Sequence, residues 1–553
     1  MPIIHTIITF VLIFITLYSY GFAISNKVFK GKNLDIFFII LVGYILVGTF
    51  TLILHFFFKI SDVISIFFIT TSLIIFYYFH NKINIKKKIL SILIILLTSF
   101  FLFGYSSHPI DANMYHHPYI SYLKSEKIIF AIANIQFRFG HISFLQYVQS
   151  ALTNNYLHEI SIASINIIFY ISFIIFISEK IFFTKKFNYN FLINIMFACF
   201  ILIKFARYRE YGNDLIPLLV SIYFLIQIID DNRNKIFTNK NLLNFALPFL
   251  AFMFAHKISY IFAVLIFLPL LNISKLKFIS EINIKFIFIF FLMFFPWLIK
   301  NYITTSCLAY PIEISCISNN LFTLNGMADP SKASWLSELW AKGFIDHANW
   351  EELNLDNYMS GFNWVSTWYK GHFFKILEIM SPLFFIIFIF TLFLFYKNNE
   401  FLIKKTSIHN ESKYLFVWST IIIGLSVWFY KAPIYRYGSF YIISFIILTY
   451  ILILNFFFKE KSSINLKFFK IIFFISLVFF ITKNSLRIYD SETSLFPKTF
   501  SNQNKKDFNG ANNSELKLKI ATDGVCFYGK FICSHEIPNN IQIMKIGNYY
   551  MFK

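Results

Sequence analysis

The chain has 553 residues, of which 57% are hydrophobic and only 14% charged, and its mean hydropathy is +0.63. Soluble domains carry roughly 25% charged residues, so the polar side chains here are too few to wet a globule of this size, and lipid must solvate much of it. The formal charge of +21 does not point to nucleic acid, because the lysines fall mainly in short connections between apolar runs.

Taken in chain order, the first apolar run extends from Pro2 to about Ser25. It lacks a basic leader and a small-residue cleavage site, so it reads as a retained helix and not a signal peptide. Further runs of about 16 to 24 residues recur, for instance near 35–58, 89–104, 284–299 and 438–458; such lengths suit a hydrocarbon core about 30 Å thick. Basic groups occupy alternate connections: Lys27/Lys30/Lys32, Lys82/Lys86/Lys87/Lys88, Lys180/Lys185/Lys186, Arg233/Lys235/Lys240, Lys275/Lys277/Lys285, Lys404/Lys405 and Lys459/Lys461. This is the positive-inside pattern.

Placing every basic connection in the cytoplasm yields an all-α polytopic membrane protein with about fourteen transmembrane helices. They fall near 2–24, 35–58, 62–79, 89–105, 158–178, 191–206, 213–229, 242–256, 257–272, 284–299, 374–396, 414–430, 438–457 and 467–483. The organisation is then N-terminal helices over 1–105, a large outer loop over 106–157 and central helices over 158–299. A second outer loop over 300–373, C-terminal helices over 374–483 and an outer tail over 484–553 complete it. Both termini lie outside. Lys86 and Lys404 are expected to face the cytoplasm, and Asn134, Asp346 and Asn513 to face outward. The tail is too short for a large core of its own and is expected to pack on the outer face of the helices.

Chemistry concentrates just beyond the fourth expected helix. The first outer loop opens with His108-Pro109-Ile110-Asp111-Ala112-Asn113-Met114-Tyr115-His116-His117-Pro118 and continues through Gln136-Phe137-Arg138-Phe139-Gly140-His141. A lone loop Asp usually serves an Asx-turn or a helix N-cap, and Tyr115 onward has a helical pattern; the neighbouring His, Asn and Arg favour a functional Asp111 instead.

An acid just past a transmembrane helix in the first large outer loop, followed by Tyr-His-His-Pro, resembles the GT-C glycosyltransferases, and within them the mannosyl and aminoarabinose transferases that use polyprenyl-phosphate sugars. Gly212-Asn213-Asp214-Leu215-Ile216-Pro217, His256-Lys257-Ile258-Ser259, Pro296-Trp297-Leu298-Ile299-Lys300-Asn301 with Tyr310-Pro311, and Arg436-Tyr437 are similar to further elements of that superfamily, in the same order, across about residues 89–440. The chain departs from the pattern where Ala112 and Asn113 replace a second acid, and a lone carboxylate beside an amide makes a poor divalent site; no metal and no other cofactor is expected. Lys300 stands where Arg is usual, keeping the charge without the bidentate geometry.

The resemblance implies an inverting glycosyltransferase of the cell envelope, with its site on the outer, periplasmic face of a bacterial inner membrane. Its partners would be a polyprenyl-phosphate (or diphosphate) sugar donor, a lipid or glycan acceptor, and membrane lipid. Asp111 is the expected general base for the acceptor hydroxyl. Arg138, Lys257, Lys300 and Arg436 are the expected cations for the leaving phosphate; at least two of them should border one cavity with Asp111. Tyr115, His116, His117, Asp214 and Asn301 are expected to line the substrate site. Lys257 has a structural alternative, pairing with Asp214, and Lys300 or Arg436 could instead snorkel at the interface.

Cys307 and Cys316 share one expected outer loop, and Cys526 and Cys533 share the tail, whereas Cys199 lies alone in a helix. An oxidising outer compartment favours two disulfides, with Cα separations of about 4.4–6.8 Å. Trp335, Trp340, Trp350, Trp364 and Trp368 crowd the 300–373 loop, which reads as a short helix lying in the headgroup layer. The rival readings are an O-antigen polymerase or ligase, whose key groups would sit in a late loop, and a transporter or flippase, for which internal repeats would be expected.

Overall fold

A computed structural model of the protein describes residues 2–29, 34–79, 111–157, 160–204, 212–230, 238–271, 283–317, 324–344, 355–397, 408–457 and 464–490, together with parts of 505–553. The helix expected over 89–105, the His108 stretch, Trp350, and the topology markers Lys86, Lys404, Asp346 and Asn513 lie outside the described residues.

The described chain is mostly helical. Eight of its helices are long and apolar enough to cross a membrane: Ile4–Val28, Ile36–His55, Asp62–Phe79, Ser161–Phe183, Ile284–Thr305, Val365–Tyr396, Lys413–Lys431 and Tyr435–Phe457. Tyr189–Lys204, Leu215–Ile229, Asn241–His256 and Ile258–Leu270 are apolar but shorter. The last of these is a 3₁₀-helix; its rise of about 2 Å per residue carries thirteen residues farther than an α-helix would. Leu466–Asp490 is a further long helix.

Burial separates core helices from peripheral ones. Ser161–Phe183 and Tyr189–Lys204 are buried on nearly every face. By contrast, Val63, Phe67 and Ile74 of Asp62–Phe79, Phe288, Phe291 and Phe295 of Ile284–Thr305, and Phe385 and Phe388 beyond Phe374 are exposed. Continuous apolar stripes of this kind would be costly in water and match lipid. Helices Pro2–Phe29 and Ile36–His55 cross closely: a Cβ on Gly21 would collide with the Ile39 carbonyl, and one on Gly43 with the Leu17 carbonyl. Small residues permit such backbone approach between membrane helices.

The helix ends sort to two poles. One holds His5 bonded to Tyr156, Asn155 bonded to Asp62, and Lys124 paired with Asp62 at 3.1 Å. The other holds Lys180 paired with Asp230 at 2.6 Å, Tyr223 donating to Asp35, and Lys413 donating to the Ile229 carbonyl. The 111–157 segment, the Trp-bearing segment and the tail gather at the first pole.

The tail is not helical. Lys505–Asp507 (β1), Leu518–Ala521 (β2) and Ile532–Ser534 (β3) form a sheet in that order, with β1 antiparallel and β3 parallel to β2; Ile543–Ile546 (β4) and Tyr549–Phe552 (β5) form a hairpin. It docks on the 111–157 segment through backbone pairs. Phe130 donates to the Tyr550 carbonyl, Phe552 donates to the Phe130 carbonyl, and Cys526 donates to the Asn113 carbonyl. Asn134 is buried there, its amide donating to the Phe552 carbonyl, so it is no surface marker.

Both disulfides are present, Cys307–Cys316 and Cys526–Cys533, with Cα separations of 3.8 and 5.7 Å. The first is closer than expected. Leu308 donates to the Ser315 carbonyl and Ile317 to the Ser306 carbonyl, which makes Cys307 and Cys316 the facing pair without mutual hydrogen bonds in a small antiparallel bridge, the position where strands approach most closely. The Trp-bearing segment also differs from a headgroup helix. Trp364 is fully buried, and the Trp368 indole donates to the Pro433 carbonyl at 2.6 Å. Among the described tryptophans of this segment, Trp340 alone has the half-exposed position expected of an interfacial ring.

Candidate functional site

Asp111 enters a π-helical turn, Ala112–His116, that runs into the helix His117–Ser125. Its backbone is helical and its side chain makes no capping hydrogen bond, so the N-cap role does not describe it. Its carboxylate instead meets Arg436 at the start of Tyr435–Phe457, with Nη1 3.5 Å from Oδ2; the two side chains are 43% and 48% exposed for Arg436 and Asp111. Half-open to solvent, the pair is accessible to a ligand.

A second ion pair adjoins the first. Asp214 opens the helix Leu215–Ile229 and also makes no capping bond; it pairs with Lys257, at the junction of Ala246–His256 and the 3₁₀-helix. Lys257 donates to the Arg436 carbonyl at 3.1 Å and lies 4.6 Å from the centre of the Tyr437 ring. Arg436 also donates to the Tyr437 hydroxyl at 3.3 Å. Four separate stretches of chain thus deliver two carboxylates and two cations to one place, tied together by Tyr437. The structural alternative for Lys257 is correct in that it pairs with Asp214, and the pair sits beside Asp111.

Tyr115 and Arg138 continue the site. The Arg138 guanidinium lies 5.9 Å from the Tyr115 ring centre and 4.7 Å from that of Phe137, within cation–π range. Among the described residues Arg138 has no carboxylate partner. Burial raises the Tyr115 hydroxyl above its usual range, and the Asp111 charge adds to this, so it is a hydrogen-bond donor and not a phenolate. The His116 ring lies tilted against Tyr115 at 4.3 Å between centroids, and its Nδ1 is bonded to the Gln146 amide at 2.8 Å. Burial lowers His116 to about 4, against the opposing pull of Asp111 and Asp214, so the ring is neutral at physiological pH. His117 is fully buried and bonded to Asn113 Oδ1 at 3.1 Å.

Lys300 and Asn301 are not drawn into contact with this group. Lys300 is completely buried, bonded to Asn301 Oδ1 at 3.2 Å and 4.6 Å from the Trp297 ring centre. Asn301 donates to the Leu308 carbonyl and so braces the disulfide bridge. The link to the site is indirect: His141 is lowered to about 4 by burial and by the charges of both Arg138 and Lys300.

Three participants were missed from sequence. Tyr437 follows Arg436 in a pair already singled out, and its ring is the connector between both cations. Gln146 holds His116 from a capping box with Ser143, whose backbone donates to Gln146 Oε1 at 3.1 Å; the Ser-x-x-Gln spacing at 143–146 is a readable helix-start signal. The Asn113 carbonyl, which receives the tail, has no sequence signal. No three His, Cys, Asp or Glu side chains among the described residues are grouped as metal ligands would be.

Residues 3–443 match a family described as a domain of unknown function, DUF8201. No curated protein and no solved structure matches the chain.

Proposed function

The chain belongs to the DUF8201 family, and from that premise we propose that it is a GT-C-type glycosyltransferase. In this reading about fourteen helices span a bacterial inner membrane, and the pole bearing Asp111 faces the periplasm. The observation that carries the proposal is the convergence of Asp111, Asp214, Lys257 and Arg436, flanked by Tyr115 and Arg138, at one pole of a set of lipid-length helices.

The chemistry divides among these groups. A polyprenyl-phosphate sugar lies with its lipid along the apolar helix faces and its head group at the charged pole. Asp111 takes the proton from the acceptor hydroxyl as oxygen attacks the anomeric carbon; the bond to the phosphate oxygen breaks, and the polyprenyl phosphate departs with the electron pair. Arg436 orients the carboxylate. Its own backbone carbonyl is held by Lys257, and Lys257 is held by Asp214, so the second ion pair positions the first. Arg138, without a carboxylate partner among the described residues, is the cation for the leaving phosphate. Tyr115, protonated and beside it, donates to the same charge.

Purified protein in detergent, offered a panel of radiolabelled polyprenyl-phosphate sugars with membrane lipid extract as acceptor, tests the reading. Transfer of label into the lipid or glycan fraction from at least one donor is expected, and Arg138→Ala should raise the donor KM at least tenfold. Tight binding of lipid-linked sugar with no transfer from any donor would favour a flippase.

A further inference from the structure

A cavity of about 530 Å³ lies at the same pole, well away from Asp111. Asp111 and Glu126 bracket the π-turn and the helix His117–Ser125, a separation of roughly 20 Å at the α-helical rise. The cavity sits between the end of Ile36–His55 and the 125–127 segment, and its lining includes Phe57, Phe58, Lys59, Glu126 and Lys127. Two backbone bonds hold its walls: Ile60 donates to the Leu123 carbonyl at 2.8 Å and Ile128 donates to the His55 carbonyl at 3.2 Å. The terminal hairpin supports one side, with Lys127 Nζ 4.3 Å from the centre of the Tyr549 ring and the Tyr549 hydroxyl bonded to the Phe56 carbonyl at 3.0 Å.

Its chemistry is mixed in a particular way. Phe57 and Phe58 are 62% and 60% exposed and extend the apolar surface of the neighbouring membrane-length helices. The Glu126 carboxylate has neither hydrogen bond nor ion pair among the described residues, and Lys59 Nζ likewise has none. Both Lys59 and Lys127 act electrostatically on Glu126, opposing the rise that burial causes. An apolar lip, two cations and one carboxylate therefore share an open cleft of small-ligand size.

We propose that this cavity seats the headgroup of an amine-bearing phospholipid, with its phosphate between Lys59 and Lys127, its ammonium on Glu126 and its acyl chains against Phe57 and Phe58. A purely anionic headgroup would leave Glu126 facing negative charge. A choline headgroup has no N–H to donate to it. An ethanolamine headgroup satisfies all three charges at once. The site depends on the chain lying in a membrane and is independent of the transferase reading.

The test is binding of phosphatidylethanolamine, phosphatidylcholine and phosphatidylglycerol of identical acyl chains to the full-length protein in detergent, counted by native mass spectrometry. Phosphatidylethanolamine is expected to bind roughly tenfold more tightly than either of the others, the value of one charge-assisted hydrogen bond. Glu126→Gln should remove the advantage over phosphatidylcholine, and Lys59→Ala with Lys127→Ala should weaken both lipids alike. Equal binding of the three lipids by the wild-type protein, or a preference for phosphatidylglycerol, overturns the proposal without any variant. Phosphatidylethanolamine binding unchanged in both variants overturns it as well.

Discussion

Arg436 Nη1 lies 3.5 Å from Asp111 Oδ2, although 325 residues separate them in the chain. The contact brings the residue that precedes the π-helical turn to the first turn of a membrane-length helix near the far end of the family match. Each element of the site is held by a neighbour.

Sidedness is the first expectation. Tyr156 is 74% exposed at the pole of Asp111, and Lys185 is exposed just beyond the other end of the helix Ser161–Phe183. The one cysteine outside the disulfides, Cys199, is buried, so single-cysteine labelling has little background. An impermeant maleimide applied to spheroplasts should label Tyr156→Cys and leave Lys185→Cys untouched until the membrane is opened. The reverse pattern would put Asp111 in the cytoplasm.

The second concerns the tail as a brace. Cys526 donates its backbone N–H to the Asn113 carbonyl at 3.1 Å, and Gly529 donates to Ser121 Oγ at 2.8 Å. Both acceptors lie in the segment that carries Asp111. Replacing Cys526 and Cys533 together by Ser should speed hydrogen exchange across 111–125 while leaving the buried helix Tyr189–Lys204 unchanged. Unaltered exchange over 111–125 would mean that the tail rests on the segment without constraining it.

The third is a pH dependence. Burial holds both His116 and His141 near 4 against an ordinary value of 6.5. Between those values the unfolded chain binds more protons than the folded one, so stability is complete above about 6.5 and is lost as pH falls toward 4. Each imidazole contributes up to about 3 kcal/mol over that window. The apparent melting temperature should therefore fall from pH 6.5 to pH 4, and His116→Gln, which keeps a hydrogen-bonding group for Gln146, should fall less steeply. Equal slopes would show that His116 does not carry the effect.

Much of the helical architecture was legible in the sequence, because a hydrophobic run of lipid-spanning length has few alternative structures. The cysteine pairs were equally legible, each being close in sequence and on the same expected side. The tail strands were not: runs of three or four residues such as Lys505–Asp507 or Ile532–Ser534 carry no periodicity, and their pairing depends on the 111–157 surface beneath them. The Trp residues misled for a related reason. Composition places Trp at a membrane interface, but Trp364 packs 5.3 Å from the Phe429 ring, a contact with another helix that local sequence does not encode. At the site, Asp111, Asp214, Lys257 and Arg436 were identified individually as candidates. The Lys257–Asp214 pair was foreseen as an alternative, but the Asp111–Arg436 pair and its link to the first were not, since they arise from the meeting of four segments. Lys300 shows the opposite case: a conspicuous cation in a motif, yet buried against Trp297 and Asn301.

The measurement that bears most directly on the account is the kinetic comparison of wild-type protein with Asp111→Asn, using a donor that the wild-type protein transfers. The amide keeps the size and an acceptor for Arg436 but removes the basicity. The account predicts that kcat falls by roughly 10²–10⁴, the usual worth of a general base, while the equilibrium affinity for the donor changes less than about threefold. Arg138→Ala should show the complementary split, with donor affinity lost. Normal transfer by Asp111→Asn would contradict the account.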